Sequence, residues 1–211
     1  MDFQPAELIR PRAYHPYIYT PEPKGWQALD RVDWNKNIVI EVGCGKGDWL
    51  IGQASKDPET LFIGIERTAL RGGAFIERAG GLKHSNLIAI RADATALISQ
   101  KVPAASVSAL YFFYPNPLPL KKQANRRFFV GASFKVFDDC LKEHGTICLA
   151  SNIKGYASEA CDFLSRFWGY TIACHQERAK DENPRTAFEK KYQDQGQTLF
   201  ELKAIKHRRS I

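Results

Sequence analysis

The segment IEVGCGKGDW, residues 40–49, places Glu41 two positions ahead of three alternating glycines, Gly43, Gly45 and Gly47. Glycines at that spacing allow a tight turn and let a ligand come close to the main chain. Two more acids close apolar runs further on: Glu66 ends FIGIE, and Asp93 follows the run LIAIRA. A carboxylate at the end of a second strand can accept hydrogen bonds from both ribose hydroxyls, the chemistry assigned to Glu66. Asp93 can accept from the exocyclic amine of an adenine, with Ala94 beside it. Glu41 can hold an ammonium group, directly or through water. A ribose, an adenine amine and an amino-acid head group together describe S-adenosylmethionine (SAM), which is the cofactor expected. The dinucleotide fingerprint would need glycine where Asp48 stands, and no Walker A pattern is present, so NAD and ATP are disfavoured.

The second constellation is YFFYPNPLPLKKQANRR, residues 111–127. Prolines on both sides of Asn116 make a rigid elbow at the end of an apolar run. Tyr114, last before the elbow, either packs in the core or stacks on a base, worth about 1–3 kcal/mol. Lys121, Lys122, Arg126 and Arg127 read either as a solvated helix start or as a surface for RNA phosphate.

These residues need elements that deliver them to one place. NIVIEVG, LFIGIE, NLIAIRAD, VSALYFFYP and GTICLAS are short, continuously apolar runs separated by helix-length stretches, among them DWLIGQASK and residues 68–79. Runs apolar on both faces that alternate with helices predict a mostly parallel sheet covered on both sides. GYTIAC and QTLFELKAI add two further strands, with an irregular insertion from about 177 to 197 between them. In such a sheet ligands bind at the carboxyl ends of the strands, which is where the glycine loop, Glu66, Asp93 and the elbow all fall. Residues 1–30 are rich in proline and aromatics and predict an extended arm that lies on the domain or reaches a ligand, followed by one domain over 31–211.

Composition limits the partners. The 211 residues carry 30 Lys and Arg against 23 Asp and Glu, a net charge of +7, which favours a polyanion partner. A second basic cluster ends the chain, KAIKHRRSI. Five cysteines include no C-x-x-C pair and the five histidines are scattered, so no metal site is expected. The start has no apolar leader core and no run approaches a membrane span, so a soluble cytoplasmic protein with reduced thiols is expected.

Taken together, E-x-G-x-G-x-G, FIGIE, the DA pair, a strand ending F-x-P-x-P before basic residues, and RTAFEKKYQDQGQTLFEL resemble the tRNA (guanine-N7-)-methyltransferases from about residue 30 to 206. The glycine loop alone points only to SAM-dependent methyltransferases, whereas the TAFE…GQ block is particular to that family. The resemblance implies a class I, Rossmann-like α/β fold of seven strands with the last antiparallel, N-methyl transfer from SAM, and tRNA as substrate. It assigns Glu41, Gly43, Gly45 and Gly47 to the methionine end of SAM, Glu66 to the ribose, and Asp93 and Ala94 to the adenine. It sets Thr186 and Glu189 near the reacting centre and turns Lys121, Lys122, Arg126 and Arg127 toward RNA phosphate. Two departures stand out. The family's P-D-P-W-P-K-K is Pro115-Asn116-Pro117-Leu118-Pro119-Leu120-Lys121 here, and its T-D after the fifth strand is Ser151-Asn152. Both carboxylates implied around the target guanine are thus the amides Asn116 and Asn152. An amide offers one acceptor where a carboxylate offers a fork to guanine N1–H and N2–H. Complementarity alone therefore keeps open a small heteroaromatic metabolite as substrate and, from another class, a catalytically silent RNA-binding partner subunit.

Overall fold

A computed structural model describes residues 2–16, 18, 22–82, 84–179 and 182–207. Each apolar run forms a strand: β1 (Ile38–Val42), β2 (Leu61–Glu66), β3 (Leu87–Arg91), β4 (Val107–Phe113) and β5 (Leu141–Ser151), then β6 (Tyr170–Glu177) and β7 (Phe200–Lys206). The intervening stretches form α1 (Asp48–Lys56), α2 (Ala69–Gly81), α3 (Ala94–Lys101), α4 (Phe134–Cys140) and α5 (Lys154–Arg166). The strands make one seven-stranded sheet in the order β3-β2-β1-β4-β5-β7-β6. Pairings from β3 through β5 are parallel, and β7 runs antiparallel between β5 and β6.

Continuous apolarity has the physical cause expected for it. All five residues of β1 and all six of β2 are buried, because helices cover both faces of the sheet. One face packs Ile38, Ile40, Leu110 and Phe112 against Phe129, Phe134 and Phe137; the other packs Val39, Phe62 and Ala109 against Leu50 and Phe75. A fully buried phenylalanine such as Phe112 contributes about 2 kcal/mol through removal of apolar surface from water. The strand order reverses between β1 and β4, and the crevice for a ligand lies at their carboxyl ends.

One expectation is corrected. The stretch read as an irregular insertion contains α6 (Ala187–Asp194). Its start was marked by Thr-x-x-Glu, a helix N-terminal signature: Thr186 Oγ1 accepts from Glu189 N at 3.1 Å.

The first residues of the arm lie against the segment after β4 and against α5, whereas Glu22 and Asp30 pair with Lys101 of α3. Gln4 N donates to Pro119 O (2.9 Å) and Ala6 N donates to Glu159 Oε1 (2.6 Å). Phe3 packs edge-on to Tyr156. Residues 17 and 19–21 of the arm, and 208–211 of the basic C-terminal cluster, lie outside the described residues. Among the described residues no helix is long and apolar enough to cross a membrane.

Candidate active site

The turn after β1 is built for close approach. Gly43, Gly45 and Gly47 all take left-handed φ values, 77°, 61° and 76°. At Gly47 a side chain is also excluded sterically, since a Cβ would lie 2.1 Å from the ring of the buried Phe75. At Gly43 and Gly45 a Cβ would meet nothing within 4 Å, so the main chain there borders open space. Glu66 braces the turn: Oε2 accepts from Gly45 N (3.0 Å) and Oε1 accepts from Thr68 N (2.8 Å). Each oxygen retains a further lone pair, enough for a ribose hydroxyl.

Glu41 is 1% exposed, and its Oε2 has no hydrogen-bond partner among the described residues. Burial pushes its carboxyl up to about 8, helped by the charges of Asp48 and Glu66 and opposed by Arg185. An orphaned buried acceptor beside an open glycine turn fits an incoming cation, which would supply the missing partner. Asp93 is half-buried and caps α3, Oδ1 accepting from Ala96 N at 3.2 Å; its other oxygen is left for a ligand amine. Ala94, in the first turn of α3, carries one of the main-chain N–H groups that a helix start leaves without an intrahelical partner. The residues expected to hold SAM thus sit at the ends of three adjacent strands and fit it: Glu41 and the glycines for the amino-acid end, Glu66 and Asp93 for the nucleoside. Among the described residues no cluster could hold a metal ion.

The elbow follows β4. Tyr114 N donates to Ala150 O at 2.8 Å, tying the elbow to the end of β5. Asn116 is exposed, and its Oδ1 accepts from Leu118 N at 3.1 Å, closing an Asx turn between the prolines. Asn152, just past β5, is half-buried and donates from Nδ2 to Gln197 Oε1 at 2.8 Å. Ser151 is buried, and its Oγ accepts from Ile153 N at 3.0 Å, which turns the chain into α5.

Burial corrects two expected roles and sets a third residue, Glu189, in a cluster of charges. Arg127 does not face RNA: it is 1% exposed, pairs with Glu159 at 2.6 Å, and donates to the carbonyls of Gln4 and Leu118. Its guanidinium also lies 4.4 Å over Phe3, so it is the anchor of the arm. Tyr114 is buried in a cluster with Phe113 and Leu199, its ring 5.4 Å from Tyr192, so the stacking expected with a base is already made by the protein. Glu189 is fully buried, with Oε1 2.6 Å from Arg178 Nε and Oε2 3.0 Å from Arg185 Nε. These pairs tie the first turn of α6 to the residue that follows β6 and to the turn before the helix. Glu201 completes this charge cluster, 3.1 Å from Arg178 and 2.6 Å from Arg185, and Arg185 stacks 4.7 Å over Phe113. Neither arginine was singled out in the sequence; only their nearness to the TAFE segment hinted at a role. Lys122 and Arg126 are exposed as expected, while Lys121 is exposed and paired with Glu7 of the arm.

This sheet order and site define a class, the SAM-dependent methyltransferase fold. A SAM-dependent methyltransferase structure from Aquifex aeolicus superposes with a TM-score of 0.57 at 11% identity, covering 86% of this chain and 89% of that one. A family model described as "Putative methyltransferase" matches residues 35–202. Two proteins named tRNA (guanine-N(7)-)-methyltransferase are similar: one from Chromohalobacter salexigens, 31% identical over 78% of this chain and 69% of that protein, and one from Saccharophagus degradans, 32% identical over 78% and 73%. The chain belongs to the tRNA (guanine-N7-)-methyltransferase family, and it is a SAM-dependent methyltransferase.

Proposed function

We propose that the protein transfers the methyl group of SAM to N7 of a guanine in tRNA. The observation that carries this is the juxtaposition of the glycine turn and the orphaned Glu41 with the Asn116 elbow and Asn152 at neighbouring strand ends, in a chain of this family. Bound SAM supplies an electrophilic methyl on a sulfonium. Guanine N7 carries an in-plane lone pair and no proton, so the N–C bond forms as the C–S bond breaks and no general base is needed. The protein's work is then positioning and exclusion of water. Glu41 holds the ammonium end, and Glu66 and Asp93 fix the nucleoside. The proline-stiffened elbow with Asn116 bounds the base on the β4 side, and Asn152 does so on the β5 side. Thr186 caps α6 and so holds the wall above them.

Residues 31–211 form the methyltransferase domain in this reading, and the arm supplies part of the RNA surface. With Arg127 buried, the phosphate-facing charge comes from the exposed Arg126 and from Lys121 and Lys122, which Arg10 and Arg12 of the arm join across a cleft of about 660 Å³. The test is incubation with SAM and bulk tRNA lacking 7-methylguanosine, followed by digestion to nucleosides and mass spectrometry. Accumulation of 7-methylguanosine is expected. SAM binding without methylation of any tRNA nucleoside would move the substrate to a small heteroaromatic metabolite. Absence of SAM binding would leave the silent RNA-binding subunit.

A further inference from the structure

The glycine turn and Glu41 answer one half of an amino-acid head group. Such a group carries a carboxylate beside its ammonium, and an ionised Glu41 repels it. A cation stands nearby. Glu41 of β1 pairs in register with Tyr111 of β4, so Gly43 and Phe113, each two residues further on, stand at the next level of the two strands. The rings of Tyr111 and Phe113 are 5.5 Å apart, and both pack on Trp49 of α1. The Arg185 guanidinium lies 4.7 Å over the Phe113 ring. Against the burial that raises the Glu41 carboxyl, the charge of Arg185 acts to lower it.

The guanidinium is fixed but not saturated. Nε donates to Glu189 Oε2 at 3.0 Å and Nη1 reaches Glu201 Oε1 at 2.6 Å, which with the Phe113 ring sets its plane. Both acids are shared with Arg178, so neither belongs to Arg185 alone. Nη2 is buried without a hydrogen-bond partner among the described residues, and so is the hydroxyl of Tyr114, the residue after Phe113. The two are close enough for Arg185 to oppose the rise that burial gives the Tyr114 hydroxyl. Every N–H of a guanidinium donates, whichever nitrogen carries which name, so the missing partner is an acceptor. A carboxylate has two oxygens, one for each donor. An RNA phosphate, tied to a chain at the surface, does not fit beside a tyrosine that is 9% exposed.

We infer that Arg185 holds the carboxylate at the methionine end of SAM, with the Tyr114 hydroxyl as second donor, while Glu41 holds the ammonium beside it. This rests on the cofactor fit described above and names the residue that distinguishes SAM from an analogue without the carboxylate.

The test is isothermal titration calorimetry of the full chain, without tRNA, against SAM and decarboxylated SAM. The second ligand keeps the ammonium, the sulfonium and the nucleoside and lacks only the carboxylate. The parent should bind SAM at least about tenfold more tightly, the worth of one charge-assisted pair. Equal affinities overturn the inference. In Arg185→Gln, affinity for SAM should fall about tenfold while that for decarboxylated SAM stays within about twofold of the parent's. Equal losses for both ligands make Arg185 merely structural and overturn the inference, and so does an unchanged affinity for SAM. Arg185→Lys keeps the charge and should recover part of the loss, for SAM alone. Tyr114→Phe leaves both ion pairs of Arg185 in place and decides the matter if the glutamine variant does not fold. It should cost about threefold for SAM and nothing for decarboxylated SAM, the loss of one neutral donor; the same change for both ligands overturns the inference. None of these measurements uses tRNA, so they decide it whether or not guanine N7 is the atom methylated.

Discussion

At the scale of single residues the site is defined by what burial does to charge. Glu41 is held with a carboxyl near 8, above its ordinary value of 4.5. Between those values the folded protein keeps a proton that the unfolded chain has released, so this residue makes stability fall as pH rises through the window. Glu41→Gln removes the effect. In melting scans the variant is expected to match the parent near pH 5 and to exceed it by about 4 °C or more near pH 8.5, while losing at least about tenfold in SAM affinity. A Tm difference that does not change with pH would contradict this origin of the shift. SAM should also bind the parent more tightly as pH rises toward 8, because capture of the cation needs the proton gone. Gly47→Ala confronts the Phe75 ring at 2.1 Å and should cost roughly 2 kcal/mol or more in urea unfolding. The acids and glycines at the strand ends were legible as candidates in the sequence because their chemistry depends on residue type and on the end of a strand. Arg127 was not. An arginine beside two lysines and another arginine reads as surface, and only the fold brings Glu159 and Phe3 to it.

At the scale of elements, strands and helices followed from periodicity, but helix α6 was hidden in a polar stretch whose one apolar anchor is brief. What holds it is a cap and the pairing of Glu189 with Arg178 and Arg185, contacts between residues up to 23 positions apart across the Arg178–Glu201 link. Thr186→Ala should cost about 1 kcal/mol through loss of the cap. The arm is fastened by a buried ion pair. Burial raises the Glu159 carboxyl despite Arg127 beside it, so removing the arginine leaves an uncompensated acid. Arg127→Ala should therefore cost about 3–5 kcal/mol and expose the arm to proteolysis. A urea midpoint and cleavage rate equal to the parent's would show that the arm is held by other contacts.

At the scale of the whole molecule, a charge of +7 becomes a surface once Arg127 is withdrawn from it and Arg10 and Arg12 are added. Replacing Arg10, Arg12 and Lys122 together by alanine should weaken tRNA binding at low salt and flatten the plot of log affinity against log salt by roughly two to three units of slope. An unchanged slope would place the RNA elsewhere. The strands and the parallel character of the sheet were readable because apolar runs and helix-length crossovers are local patterns, whereas the order of the strands appears only in the fold. The placement of the arm was not readable either, since its prolines exclude a long helix but do not say where an extended chain rests.

The most direct test of N7 methylation compares one tRNA transcript made with guanosine and the same transcript made with 7-deazaguanosine, where a C–H replaces the acceptor nitrogen. With labelled SAM, methyl incorporation is expected into the first and none into the second. Equal incorporation into both would contradict the assignment of N7 as the atom methylated.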